Sequence, residues 1–166
     1  DPFPAYRIGF NPCKPESRGY VDIQSPDPFQ PPRMQGNYLE AEKDRQIMIA
    51  GTRLIRRIVK MPALATITDK EIFPSNTMET DDDIISVARD ISWTVFHQCG
   101  TCRMGRDEKT SVVDEKLRVH GIGNLRIADA SIFPSIPSGN TNAPAIMVGE
   151  MAANIIKNEA LMKAKR

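Results

Sequence analysis

Apolar positions recur along this chain at two periods. Ile47, Ala50, Leu54, Ile55 and Ile58 return at steps of three and four, which predicts an amphipathic helix from about Ala41 to Lys60. Met61-Pro62 ends it, because a residue before proline is pushed out of the helical region. A second helix is expected from Thr80. Its hydroxyl can cap free N–H groups, Asp81, Asp82 and Asp83 complement the positive helix end, and Ile84, Ile85, Val87, Ala88 and Ile91 carry it into the core. A final helix is expected from about Asn142 to beyond Ile156, with Ile146, Met147, Ala153 and Ile156 on its buried side.

Period two appears in shorter pieces. Tyr20 to Gln24 alternates as a strand with one wet face should, and Ser25-Pro26-Asp27-Pro28 stops it, since proline cannot donate to a ladder. Tyr6–Phe10 reads as a second extended segment, and Ser92–Phe96 as an apolar strand leading into His97. Val112–Asp114, Leu117–His120 and Leu125–Ala128 read as short strands, the last two separated by the turn Gly121-Ile122-Gly123-Asn124. Eight of the 13 prolines fall in residues 1–36, without the regular spacing of a polyproline ligand.

Composition removes several classes. A hydrophobic fraction of 40% suffices for a core, and a net charge of +1 gives no general reason to bind nucleic acid or an acidic membrane. Arg53, Arg56 and Arg57 read as a solvated helix face; Lys163, Lys165 and Arg166 read as a solubilising tail. No apolar run approaches the ~20 residues that span a bilayer. The opening Asp1-Pro2-Phe3-Pro4 carries no initiating methionine and no secretory signal, and it reads as the interior of a longer polypeptide. Three cysteines cannot all pair within one chain, which favours a reducing, cytoplasmic setting.

The residues with chemistry gather in two stretches, His97-Gln98-Cys99-Gly100-Thr101-Cys102-Arg103-Met104-Gly105 and Ser138-Gly139-Asn140-Thr141-Asn142-Ala143-Pro144. His97 is either a satisfied core histidine or a general base near neutral pH. His120, beside Gly121, needs no more than a solvent-exposed role. Cys99 and Cys102 form a CxxC pair, but a loop follows where a redox site would have a helix. A zinc site would need two more ligands at matching spacing. Two half-buried thiols is the plainer reading. The acidic run 81–83 lacks the alternation and central glycine of a calcium loop, so no metal site is expected. Gly121-Ile122-Gly123 fails as a dinucleotide fingerprint: Arg126 stands where a third glycine is needed, and the turn precedes a strand.

Four blocks, in order, resemble the C-terminal region of the glucose-methanol-choline (GMC) flavoprotein oxidoreductases, nearest the choline dehydrogenase-like branch. They are Ser17 to Pro28, Asn37-Tyr38-Leu39, His97 to Gly105, and Leu125 to Pro134 together with Ser138 to Pro144. The resemblance implies an FAD-dependent enzyme that oxidises a small-molecule alcohol. It makes His97 the catalytic histidine and Asn140 the second active-site position. It puts Asp129 and Ala130 against FAD through their backbone, and Thr141, Asn142 and Ala143 against the pyrimidine edge of the flavin. It also implies an α+β fold: a mainly antiparallel sheet with helices packed on one side, then a C-terminal strand and helix belonging to the FAD domain. Residues 1–122 would be part of the substrate-binding domain, and 123–166 would complete the FAD domain. The family's FAD-binding glycine motif lies upstream of these blocks, so an N-terminal FAD-binding segment is the expected partner. Alone, the chain is expected to bind FAD weakly and not to turn over. Two alternatives stay open: a non-catalytic binding or assembly module of the same fold, and a hydroxynitrile lyase-type relative. Residues 66–79 are placed to approach a substrate but carry nothing that selects one alcohol.

Overall fold

A computed structural model describes residues 3–74 and 78–164. The opening Asp1-Pro2, residues 75–77 within the segment expected to approach substrate, and the end of the basic tail at Lys165 and Arg166 lie outside the described residues. The elements, in order, are β1 (Tyr20–Asp22), β2 (Arg33–Gln35), α1 (Glu42–Val59), α2 (Pro62–Ala65), α3 (Asp81–Ile91), a 3-10 turn at Ala130–Ile132, and α4 (Asn142–Ala164). The class is α+β, with helices and one small antiparallel sheet, β1 paired with β2. Of the mainly antiparallel sheet expected, these two strands are the part formed among the described residues. The chain divides into two compact units, one made of residues up to 19 and 33–93, the other of residues 20–32 and 94 onward.

The first unit is built on α1 and α3, whose buried residues Ile49, Met78, Ile84 and Ile85 form its core, with Met48 and Val87 packed against them. The expected stripe on α1 is displaced. Ile49 is buried, whereas Ala50, Leu54 and Ile58 are exposed, because the face toward α3 is centred on Met48 and Ile49. Arg56 holds that face: it donates to both Glu71 carboxylate oxygens at 3.0 and 2.9 Å and to the Met78 carbonyl at 2.7 Å. Pro62 both ends α1 and opens α2 at its first position, where a missing N–H costs nothing. The start of α3 is as expected and is reinforced: Asp83 N donates to Thr80 Oγ1 at 3.1 Å, and Thr80 N to Asp83 Oδ2 at 2.9 Å. Ile91, expected in the core, is exposed at the helix end.

Asp44, in the first turn of α1, is the one charged residue among the buried ones described, at 2% exposure. Its carboxylate accepts from Glu16 N and Ser17 N, each at 2.8 Å, and from the Ser17 hydroxyl, which in turn accepts from Ala41 N at 3.0 Å. The helix therefore begins on Asp44 and Ser17 although its N-cap residue, Ala41, has no side-chain cap. Just beyond, the backbone at Gly19 approaches the Gln35 carbonyl so closely that a Cβ would overlap it. These contacts give Ser17 and Gly19 of the first sequence block their structural reason.

The second unit is a knot of short segments covered by α4. Val113, Leu117 and Ile132 are buried with Val148 and Ala152 of α4, and Met104, Val112, Val119, Ile127 and Phe133 pack around them. The three strands expected between 112 and 128 exist only as isolated bridges, Val113 with Val119 and Arg118 with Arg126, both antiparallel. The chain turns too soon for ladders to grow: Leu117 sits at a left-handed φ of 65°, and Asp114 Oδ1 accepts from Lys116 N and Arg118 N at 2.8 and 2.9 Å. The buried side of α4 also differs from expectation. Val148 and Ala152 face the core, while Ile146, Met147, Ala153 and Ile156 are exposed. The helix is apolar around most of its circumference, so periodicity alone could not choose a face. Arg126 fixes it, donating to Glu159 of α4 and to the Lys116 carbonyl at 2.7 Å. No described helix is long and apolar enough to cross a membrane.

Burial pushes the Asp44 carboxyl up, but the hydrogen bonds from Ser17 and Glu16 and the Arg18 charge outweigh it, and the group lies below its ordinary value. A lowered folded value means that the stabilisation is complete above about pH 4 and is lost as pH falls through the folded value. Asp44→Asn is expected to cost about 1–3 kcal/mol at pH 7. Urea titrations at pH 7 and pH 3 should show the gap from wild type narrowing at the lower pH; a gap that does not narrow would remove this account.

Candidate active site

The first of the two chemistry-bearing stretches is tied to the segment before α4 by backbone. Cys102 N donates to the Ser131 carbonyl at 3.0 Å, and Met104 N to the Ile132 carbonyl at 2.8 Å. On its other side, Val112 N donates to the Arg103 carbonyl at 2.8 Å and Gly105 N to the Val113 carbonyl at 2.9 Å. Residues 102–105 thus lie between two segments that hold them. Gly100 makes the bend leading in: its φ is +90°, and a Cβ there would stand 3.0 Å from the Phe133 carbonyl oxygen.

His97 precedes this anchored stretch. The apolar strand expected over Ser92–Phe96 is absent. After Ser92 caps α3 the chain runs irregularly, with Trp93 and Phe96 largely exposed, and no ladder partner reaches it among the described residues. Phe96 adopts a left-handed φ of 60°, and its N–H donates to Thr94 Oγ1 at 3.0 Å. This local turn presents His97, half-buried, toward the start of α4.

The His97 ring meets Thr141 there, with Nδ1 3.1 Å from Thr141 Oγ1. Among the described residues Nε2 has no hydrogen-bond partner. Thr141 immediately precedes α4, and its carbonyl accepts from Ala145 N at 2.9 Å. Asn140, one residue earlier, is exposed, as are Asn142 and Ala143 in the first turn. The structure therefore brings His97 and Thr141 into contact and sets Asn140, Asn142 and Ala143 beside Thr141 along the chain.

Asp129 and Ala130 open the 3-10 turn that packs against α4. The Asp129 carboxylate accepts from Ser131 N at 2.7 Å, while the carbonyls of Asp129 and Ala130 accept from Ile132 N and Phe133 N, each at 3.3 Å. His120 is not the exposed turn residue expected. It is half-buried, with Nε2 3.1 Å from both the Gly105 carbonyl and Ser111 Oγ, and it braces the end of the histidine stretch. Cys99 and Cys102 are half-buried and not in a disulfide. No group of three metal-ligating side chains occurs among the described residues.

The arrangement can do two things. A half-buried imidazole held at one nitrogen offers the other as a proton acceptor. A helix start with exposed Asn142 and Ala143 offers N–H groups that the helix leaves unpaired, and the positive end of its dipole, to an electron-rich edge. Small residues at Gly139 and Ala143 leave room for a flat ring; a Cβ on Gly139 would meet nothing within 4 Å. An electron-rich edge of a flat ring is the kind of group such a helix start can take.

Comparison with known proteins gives the same direction. The sequence model for GMC oxidoreductase matches residues 15–149. The oxygen-dependent choline dehydrogenase of Vibrio vulnificus is 41% identical over 97% of this chain and 29% of its own length. The alcohol dehydrogenase [acceptor] of Pseudomonas putida is 44% identical over 86% of this chain and 26% of its own. An FAD-dependent oxidoreductase from Chaetomium thermophilum superposes on 89% of this chain and 26% of its own with a TM-score of 0.83, at 32% identity. The chain spans less than a third of the length of each of these proteins.

Gly100→Ala should destabilise the second unit by about 1–2 kcal/mol, the cost of a left-handed conformation on a residue with a Cβ. A denaturation midpoint equal to wild type would show that the bend at Gly100 does not hold the histidine stretch.

Proposed function

This chain belongs to the GMC oxidoreductase family, whose members are FAD-dependent, and we propose that it carries the proton-accepting and flavin-facing part of an enzyme that oxidises a small alcohol. The observation that supports this most directly is the hydrogen bond between His97 and Thr141 at the exposed start of α4. When bound, FAD supplies the acceptor for the hydride leaving the alcohol carbon. His97 takes the hydroxyl proton at Nε2. The imidazolium then stabilises the alkoxide, and the Asn140 amide donates a hydrogen bond to the same oxygen. Such acid–base assistance is worth about 10²–10⁴-fold in rate. Asn142 and Ala143 would present backbone N–H groups to the pyrimidine edge of the flavin, where the α4 dipole favours negative charge. Thr141 would lie beside them. Asp129 and Ala130, at the 3-10 turn packed against α4, would meet the cofactor through their backbone.

Residues 1–122 contribute to the substrate side, and 123–166 complete the flavin side. The glycine-rich nucleotide cradle comes from a further segment, because the one paired-glycine turn here, at Gly121 and Gly123, lacks the third glycine and leads into a bridge rather than a helix.

The test uses the full-length protein and the visible absorbance of bound flavin, under anaerobic addition of primary alcohols, for wild type and His97→Ala. Wild type should bleach, and the variant should bleach at least about a hundredfold more slowly. Equal rates would remove His97 as the base. A bound flavin that no alcohol bleaches would favour the lyase-type chemistry.

A further inference from the structure

We propose that Thr141 is a positioning residue that engages Nδ1 of the His97 ring and so leaves Nε2 as the nitrogen that faces a proton donor; its catalytic consequence rests on the reading of His97 given above. Thr141 stands at the N-cap of α4, with its carbonyl bound by Ala145 N. A threonine hydroxyl there ordinarily caps the N–H two or three residues on. Three residues on is Pro144, which has no N–H, so only the Ala143 N–H is left as a cap partner. The hydroxyl instead lies 3.1 Å from His97 Nδ1. The backbone of Thr141 is held by the helix, so a single χ1 rotation governs where its oxygen stands relative to the ring.

A neutral imidazole has one donor and one acceptor nitrogen. Thr141 occupies Nδ1, which leaves Nε2 to meet a substrate. Nε2 holds a lone pair only if Nδ1 carries the hydrogen and donates it to Thr141 Oγ1. When a substrate O–H bond breaks and an Nε2–H bond forms, the ring gains one positive charge and the Nδ1–H is retained. The bond to Thr141 then comes from a cationic donor and strengthens. One hydroxyl therefore serves both protonation states, and no hydrogen bond has to reverse during proton transfer.

The experiment compares full-length, flavin-loaded wild type, Thr141→Val and Thr141→Ser. It uses nitrogen NMR of ring-labelled histidine and the pH dependence of kcat. Wild-type His97 should show the Nδ1–H tautomer. Thr141→Val should mix the tautomers, lower kcat about three- to tenfold with little change in KM, and move the acidic limb to lower pH, because the imidazolium loses an acceptor. Thr141→Ser should restore all three. An Nε2–H tautomer in wild type overturns the proposal. So do ring signals and a limb that Thr141→Val leaves unmoved, or a serine variant as impaired as the valine one. Should Thr141→Val lose its flavin, the wild-type tautomer and the serine variant decide. A protein that oxidises no alcohol, yet whose ring signals respond to Thr141→Val, upholds the tautomer assignment and removes the role of His97 as alcohol base.

Discussion

Two backbone hydrogen bonds carry the candidate site: Cys102 N to the Ser131 carbonyl and Met104 N to the Ile132 carbonyl. They join the stretch that follows His97 to the turn that precedes α4. Backbone bonds do not depend on side-chain rotamers, so they set the spacing of these segments with little freedom. Ile132 is also buried in the core beneath α4, and Met104 packs on that core. The same residues therefore both hold the knot together and determine where the helix start meets the imidazole.

Substitutions in the second unit should accordingly divide by position. Changes at Val113, Leu117 or Ile132 act on the site through packing, since all three are buried in one cluster. Changes at Asn140, Asn142 or Ala143 touch exposed positions and leave the fold largely intact. The Arg126–Glu159 pair lies between these cases. Both groups are partly shielded, and the pair clamps the far half of α4 rather than its start.

The helices were largely legible in the sequence. Thr80 with three aspartates, and Met61-Pro62, are local signals, and the observed ends of α1 and α3 lie within a residue or so of those expected. Faces were less legible. On α4 nearly every side is apolar, so only tertiary partners such as Arg126 choose Val148 and Ala152. The burial of Asp44 was invisible, because its partners are backbone N–H groups 27 and 28 residues earlier in the chain. The strands failed for a different reason: Val112–Asp114 and Leu117–His120 read as short strands, but tight turns cut each pairing to a single bridge. At the candidate site the sequence marked the correct stretches through family resemblance. It did not indicate that Thr141 reaches His97. The available clue was a threonine three residues before a proline, which removes one of the two usual partners of an N-cap hydroxyl.

The burial of Val113 also bears on the order of folding. Its bridge partners, Met104 and Val119, lie nine and six residues away, and the segments around it close between about 102 and 133. Contacts this near in sequence have a small loop-closure cost. The knot is therefore expected to condense before α4 has a surface to dock on, with the helix completing the core at Val148 and Ala152. On that route the histidine stretch is already tied to residues 131 and 132 when the helix start arrives beside it. The meeting of His97 and Thr141 would then be among the last contacts the chain makes.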